Sequence, residues 1–163
     1  VLKSWIQSHP KSIPARMELA NLYALSDNYN DATRIWRDII EIWPNQLLAL
    51  NNLASVLGES NPVEATAFAE RAYKLAPKYP PASITLAELL LKNNDQAAQA
   101  VKILRPITAA FPKLNEAQLL LAKALSQSGD REVAKNIAKK IIARNPKDAM
   151  RRQAESFLKT LNE

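Results

Sequence analysis

Five prolines divide the sequence into segments of nearly equal length. Pro10, Pro44, Pro77, Pro112 and Pro146 are separated by 34, 33, 35 and 34 residues. Each proline follows an apolar stretch with helical spacing, and proline ends a helix because it has no amide hydrogen to donate. The prolines therefore predict helix ends at a fixed period, which is typical of stacked helical repeats.

Alanine recurs at two fixed positions relative to these prolines. The surrounding apolar residues follow the i, i+3, i+4, i+7 spacing of a helix, and a small side chain at a fixed place lets two helices approach closely. We therefore predict units of two helices of about 12–15 residues, joined by short polar turns at 26–30, 59–61, 93–95 and 128–130. The recurrent residues are Ala20, Ala54, Ala87 and Ala122 in the first helices and Ala32, Ala65, Ala100 and Ala134 in the second.

Composition excludes several classes of function. Two glycines cannot form a glycine-rich phosphate loop, and they are too few for the turns of a many-stranded sheet. Without cysteine there is no disulfide, thiol nucleophile or cysteine-ligated zinc, and His9 alone cannot form a multi-histidine metal site. We expect no enzyme activity, no cofactor, no metal ion and no small-molecule substrate.

Together the prolines and alanines resemble the pattern of the tetratricopeptide repeat family. This resemblance implies an all-α fold, a right-handed α-α superhelix of about ten helices, in a single array. The units are a half repeat at 1–12, repeats at 13–46, 47–79, 80–114 and 115–148, and a closing helix at 149–163.

A finer resemblance concerns the origin of the chain. Residues 50–77 are similar to repeats of bacterial lipoproteins that accompany exopolysaccharide and PEP-CTERM sorting systems. The chain begins at Val1 rather than Met, so we expect a fragment or processed product, the C-terminal part of a longer bacterial scaffold. The absence of cysteine fits cytoplasm and periplasm equally.

The resemblance also implies a binding surface, because the first helices of such repeats line a concave groove. We predict that this groove binds a peptide or protein segment, with apolar side chains meeting apolar side chains and asparagines pairing with the ligand backbone. An alternative is that the apolar residues only pack against neighbouring first helices. Some repeats of this family bind a C-terminal carboxylate through a set of lysine and other basic residues together with two asparagines. Here only the asparagines, Asn21 and Asn52, match that set, so we do not expect a C-terminal carboxylate to be bound in this way. The candidates are Met17, Asn21, Asn51, Asn52, Ser55, Ile84, Glu88, Lys92, Leu119 and Lys123.

Charge is distributed unevenly along the sequence. Residues 1–79 contain eight basic and eight acidic residues, whereas residues 80–163 contain fourteen and eight, so the net charge of +6 belongs to the second half. The basic residues there predict either a patch for nucleic acid, an anionic surface or an acidic partner, or a solvated outer face. We favour the solvated face because no aromatic residue alternates with them for base stacking. They are Lys135, Lys139, Lys140, Arg144, Lys147, Arg151 and Arg152.

Three further residues stand out from the repeat pattern. Trp5 belongs to the half repeat, where an exposed apolar face predicts self-association. Trp43 precedes Pro44 and either packs against the next unit or anchors another chain. Pro106 lies inside a predicted helix, where we expect a kink or a break near 103–106. The rival to groove binding is a structural assembly scaffold without a discrete groove site.

Overall fold

The computed structural model of the chain describes residues 2–9, 12–92, 96–144 and 149–162. These residues form helices and turns and contain no strand, which confirms the predicted all-α fold. The helices are α1 Leu2–Ser8, α2 Ile13–Leu25, α3 Tyr29–Ile42, α4 Leu47–Leu57, α5 Pro62–Leu75, α6 Pro80–Leu91, α7 Ala97–Ala110, α8 Asn115–Gln127, α9 Arg131–Arg144 and α10 Ala149–Thr160.

The prolines of the repeat pattern stop the helices as the sequence predicts. The last backbone bonds of α3, α5 and α7 are donated by Trp43 to Ile39, by Ala76 to Ala72 and by Phe111 to Ile107, at 2.8–3.1 Å. Pro44, Pro77 and Pro112 come directly after these donors, where the absence of an amide hydrogen removes no helical bond. Pro10 and Pro146, like the predicted turn at 93–95, lie outside the described residues.

Side-chain caps define where several helices begin. Asn61 Oδ1 accepts the backbone N–H of Glu64 at 3.3 Å, and Pro62 occupies the first turn of α5 without losing a bond. Asn28 caps α3 in the same way through the N–H of Asp31. The predicted turn at 26–30 is therefore shorter than expected, because α3 already begins at Tyr29.

Packing divides the helices between two compact units, Val1–Ala76 with α1–α5 and Pro77–Glu163 with α6–α10. In the first unit α2 packs against α3, α3 against α4 and α4 against α5; in the second, α6 packs against α7, α7 against α8, α8 against α9 and α9 against α10. Each helix therefore contacts mainly its neighbours in sequence, as repeat proteins do.

The recurrent alanines of the paired helices all lie in the core. All eight of them, four in first helices and four in second helices, are completely inaccessible to solvent. Larger side chains fill the space beside them, Trp36, Leu50 and Leu53 in the first unit and Leu104 and Leu125 in the second. A side chain longer than a methyl group at an alanine position would push the paired helices apart.

An ion pair on the second helices adds a contact that the repeat pattern does not predict. The guanidinium of Arg37 in α3 donates to both carboxylate oxygens of Glu64 in α5, at 2.6 and 2.7 Å. This bidentate pair lowers the pKa of Glu64 below its ordinary value. The ring of Phe68 lies beside it, 5.7 Å from the Arg37 guanidinium and 5.9 Å from that of Arg71.

Pro106 does not break its helix, and that part of the prediction is wrong. α7 continues from Ala97 to Ala110, because Ile103, Leu104 and Ile107 are buried on both sides of the proline and hold the helix against its neighbours. Pro106 lies on the solvent-exposed side of α7. The carbonyl of Lys102 has no helical donor, because proline lacks an N–H, and water can hydrate it instead.

We expect Ala54→Leu to lower the free energy of unfolding by about 1–3 kcal/mol, because leucine overfills the contact between α4 and α5. Urea denaturation measures the change. Ala67→Leu is the matched control, since Ala67 is exposed on α5 and should tolerate leucine within about 0.5 kcal/mol. Equal losses in the two variants would contradict close packing at Ala54.

We expect Pro106→Ala to raise the free energy of unfolding, by up to about 3 kcal/mol, because it restores the N–H donor to the carbonyl of Lys102. Pro62→Ala is the control: Pro62 lies in the first turn, where the change should cost a few tenths of a kcal/mol. Thermal and urea unfolding of both variants test this, and a loss of stability in Pro106→Ala would refute it.

Candidate functional site

Two asparagines from neighbouring first helices meet in the first unit. Nδ2 of Asn52 in α4 donates to Oδ1 of Asn21 in α2 at 3.2 Å, and both side chains are half-buried. Asn51 lies beside them with a buried Oδ1 that has no hydrogen-bond partner among the described residues, and Ser55, one turn further along α4, is exposed. The structure thus brings Asn21 and Asn52 together at one surface of α2 and α4, whereas the side-chain oxygen of Asn51 is buried.

The apolar candidates lie deeper than the groove prediction requires. Met17, Ile84 and Leu119 are 8%, 7% and 3% exposed, respectively. Leu119 packs against Ile141 of α9 and Ala154 of α10. All three side chains are therefore buried in the core and have almost no surface to offer a partner.

Charged candidates form the corresponding surface of the second unit. Glu88 lies on α6, Lys92 directly follows the last residue of α6, Lys123 lies on α8, and all three are exposed. Although Glu88 reaches solvent, the surrounding protein desolvates its carboxylate and raises its pKa; nearby Glu116 raises it further, whereas Lys123 and Lys92 act in the opposite direction. These four charges are therefore close enough to influence one another.

The structure contains a cleft between α8 and α10 that the sequence pattern did not predict. Its volume is about 550 Å³, and it is lined by Lys123, Ala149, Arg152, Gln153, Ser156, Phe157 and Thr160. The signal was present: continuing the repeat count into α10 puts Gln153 and Phe157 at the places that Leu119 and Lys123 occupy in α8. The repeat pattern predicted residues 149–163 only as a closing helix.

The predicted basic patch is partly neutralised by local partners. Lys135 forms an ion pair with Glu132 at 3.2 Å, Arg151 pairs with Glu155 at 2.7 Å, and Arg144 donates to the carbonyl of Pro112 at 2.8 Å. Lys139 and Lys140 are exposed on α9, and Arg152 lies in the α8–α10 cleft. Lys147 lies outside the described residues.

Exposed apolar side chains are concentrated in the first unit. Trp5 is 44% exposed, as the sequence predicts, and its ring stacks on His9 with centroids 4.1 Å apart. Self-association through this face stays a prediction. Trp43 is half-buried, whereas Tyr29 is exposed and donates its hydroxyl to Asp27 at 2.9 Å, which raises the Tyr29 pKa.

Metal and membrane sites can be assessed for the same residues. Within the described ranges, no group of three or more histidine, cysteine or acidic residues is arranged to hold a metal ion. Across these ranges no helix combines the length and the apolar character needed to cross a membrane.

Helix pairs of this length, packed through recurrent alanines and ended by prolines, define a helical-repeat protein of the tetratricopeptide type. The sequence profile described as tetratricopeptide repeat protein 21 second ARM domain matches residues 61–150, more than half of the chain. The chain belongs to this family. A comparison with the curated proteins finds no match.

Solved structures of tetratricopeptide repeat proteins are similar to this chain. MamA (41-end) from Desulfovibrio magneticus RS-1 is 20% identical with a TM-score of 0.77, covering 90% of this chain and 81% of MamA. YrrB, described as a TPR protein with an unusual peptide-binding site, is 16% identical with a TM-score of 0.78, covering 90% and 75%. TTC0263 from Thermus thermophilus is 18% identical with a TM-score of 0.71, covering 92% and 81%. At these identities the likeness concerns the fold, and the finer lipoprotein resemblance stays a prediction.

The charged surface of the second unit gives a prediction that NMR can test. The pKa of Glu88 should lie above its ordinary 4.5, and Lys123→Ala should raise it further by removing a neighbouring cation. Glu116→Gln should lower it by removing the neighbouring like charge. Side-chain carboxyl chemical shifts followed against pH measure all three values. A Glu88 pKa that Lys123→Ala leaves unchanged would contradict this arrangement.

Proposed function

We propose that the chain is a protein–protein interaction module that binds an extended segment of a partner protein at the surfaces of its first helices. The family assignment supports the broader class, since repeats of this kind present exposed helix faces as binding surfaces. YrrB, which shares the fold, is itself described as having a peptide-binding site. The partner is a peptide or protein segment, and the chain brings it to a larger assembly without chemical conversion.

The observation that carries this proposal is the amide pair of Asn21 and Asn52. Each asparagine side chain offers two N–H donors and an acceptor oxygen, and the bond between them uses only one donor and one acceptor site. The remaining groups lie half-buried at the surface of α2 and α4, where an extended ligand would find both donors and acceptors for its backbone. Exposed Ser55 extends this polar surface along α4.

The second unit has a surface of its own, with charged rather than amide groups at the corresponding repeat places. Glu88 on α6, Lys92 at the C-terminal end of α6 and Lys123 on α8 are exposed and would orient a charged ligand side chain. Three buried side chains pack in the core and hold the first helices in place: Met17, Ile84 and Leu119. The binding energy is therefore assigned to the polar and charged side chains on the surfaces of the same helices.

Selection from a phage-displayed random peptide library tests the proposal. The wild-type chain should enrich peptides, and Asn21→Ala with Asn52→Ala should weaken the enriched peptides by about tenfold, the equivalent of one or two lost hydrogen bonds. Isothermal titration calorimetry with synthetic peptides measures this. Loss of the amide pair should cost only about 1 kcal/mol of stability, so the variants remain folded.

Lys139→Ala with Lys140→Ala is the matched control, because both lysines are exposed on second helix α9. This variant should bind the peptides as tightly as the wild type does. Failure to enrich any peptide would refute the proposal and favour an assembly scaffold without a discrete groove site. A loss confined to the α9 control would instead assign binding to the basic face.

A further inference from the structure

Two cations of the cleft between α8 and α10 form no ion pair with any residue in the described ranges. Lys123 projects from α8 and Arg152 from α10, and both are exposed. Glu88 is close enough to feel the charge of Lys123 but makes no direct ion pair with it. The neighbouring Arg151 pairs with Glu155 at 2.7 Å, so the acidic side chain of α10 is already engaged by another cation. The two remaining cations thus face a cleft of about 550 Å³.

The other groups lining the cleft complement these cations. Gln153 and Ser156 are polar and exposed, and Phe157 is a half-buried aromatic side chain. Among the described residues that line the cleft there is no carboxylate, so its charge is positive, and its volume lies in the range that binds side chains or small ligands. A ligand that fits must carry negative charge and must also cover apolar surface.

We infer that the α8–α10 cleft binds a partner segment through its aspartate or glutamate side chains, with a neighbouring apolar side chain against Phe157. The guanidinium of Arg152 can hold a carboxylate in a bidentate arrangement, and the ammonium of Lys123 can bind a second carboxylate from the opposite helix. This inference rests on the proposed function, for which it names the chemistry of the partner at the second unit.

Charge on the adjoining surface argues for isolated carboxylates rather than a nucleic acid. A nucleic-acid strand carries a continuous row of phosphates and needs a matching row of cations and exposed aromatic rings. Glu88, which is close enough to Lys123 to interact with its charge, would repel such a row, and Phe157 is half-buried rather than available for base stacking. A peptide can match two cations and leave the acidic neighbour uncontacted.

Phage selection with a library whose peptides are fused to the coat protein at their C-termini tests this inference, since no terminal carboxylate is then available. Peptides enriched by the wild-type chain should contain aspartate or glutamate beside an apolar residue. Lys123→Glu with Arg152→Glu should weaken the corresponding synthetic peptides by at least about tenfold, and added salt should weaken binding to the wild type.

Lys139→Glu with Lys140→Glu is the matched control, because it changes the net charge of the chain by the same amount on α9. Its peptide affinity should stay within about twofold of that of the wild type, once the effect of the changed net charge on long-range electrostatic attraction is subtracted. Circular dichroism should show that both variants keep the helical content, since all four side chains are exposed.

The outcomes separate this inference from the proposed function. If peptides are enriched but are not acidic, or if they respond to Asn21→Ala and ignore the Lys123 and Arg152 changes, the inference is wrong and the proposed function stands. If no peptide is enriched, both are wrong. Tighter binding of a single-stranded oligothymidine or of inorganic phosphate than of acidic peptides would also overturn the inference.

Discussion

Close contact between paired helices at alanine is the constraint on which the rest of the structure depends. Ala54 and Ala87 illustrate it: each lies in a first helix and is fully inaccessible to solvent, so a larger side chain there would have to displace its neighbours. Because this contact fixes how near the two helices of a pair can come, it also fixes which neighbouring side chains are buried. Residues one turn away, such as Leu50 and Leu90, fill the remaining space. The polar residues of the same helices are then left at the surface.

The same repeat place therefore carries different chemistry without disturbing the fold. Asn21, Ser55, Glu88 and Lys123 occupy equivalent places in four first helices, yet none of them belongs to the buried core. Packing of the paired helices involves the alanines and the large apolar residues, whereas these surface places differ between the four units. Differences between units at such places are thus the part of the chain that can encode which partner it binds.

The structural role of a residue could be predicted from the sequence where its type has one role at that position, and could not where it has two. Proline after a helix and alanine at a helix contact act through sterics alone, so Pro44 and Ala20 were placed correctly. An apolar residue on a first helix, such as Leu119, can serve a ligand or the core, and spacing does not separate these roles. The break expected at Pro106 failed because burial of Leu104 and Ile107 outweighs one lost hydrogen bond. The repeat count places Gln153 and Phe157 of α10 in line with Leu119 and Lys123 of α8, but it does not show that a cleft separates these two helices, which are not consecutive in the sequence.

Net charge by itself was a poor guide to the charged surface. The second half of the chain has the whole basic surplus, yet Lys135 and Arg151 are paired with acidic neighbours and Arg144 is bound to a backbone carbonyl. Exposed ion pairs of this kind contribute little to stability, but they remove charge from the surface that a partner meets. The cations that remain available for recognition have to be identified one residue at a time. Lys123 and Arg152 matter because no carboxylate among the described residues forms an ion pair with them and because a cleft with an aromatic wall separates their helices. A basic composition predicts attraction to anions, whereas the positions of the unpaired cations determine which anion fits.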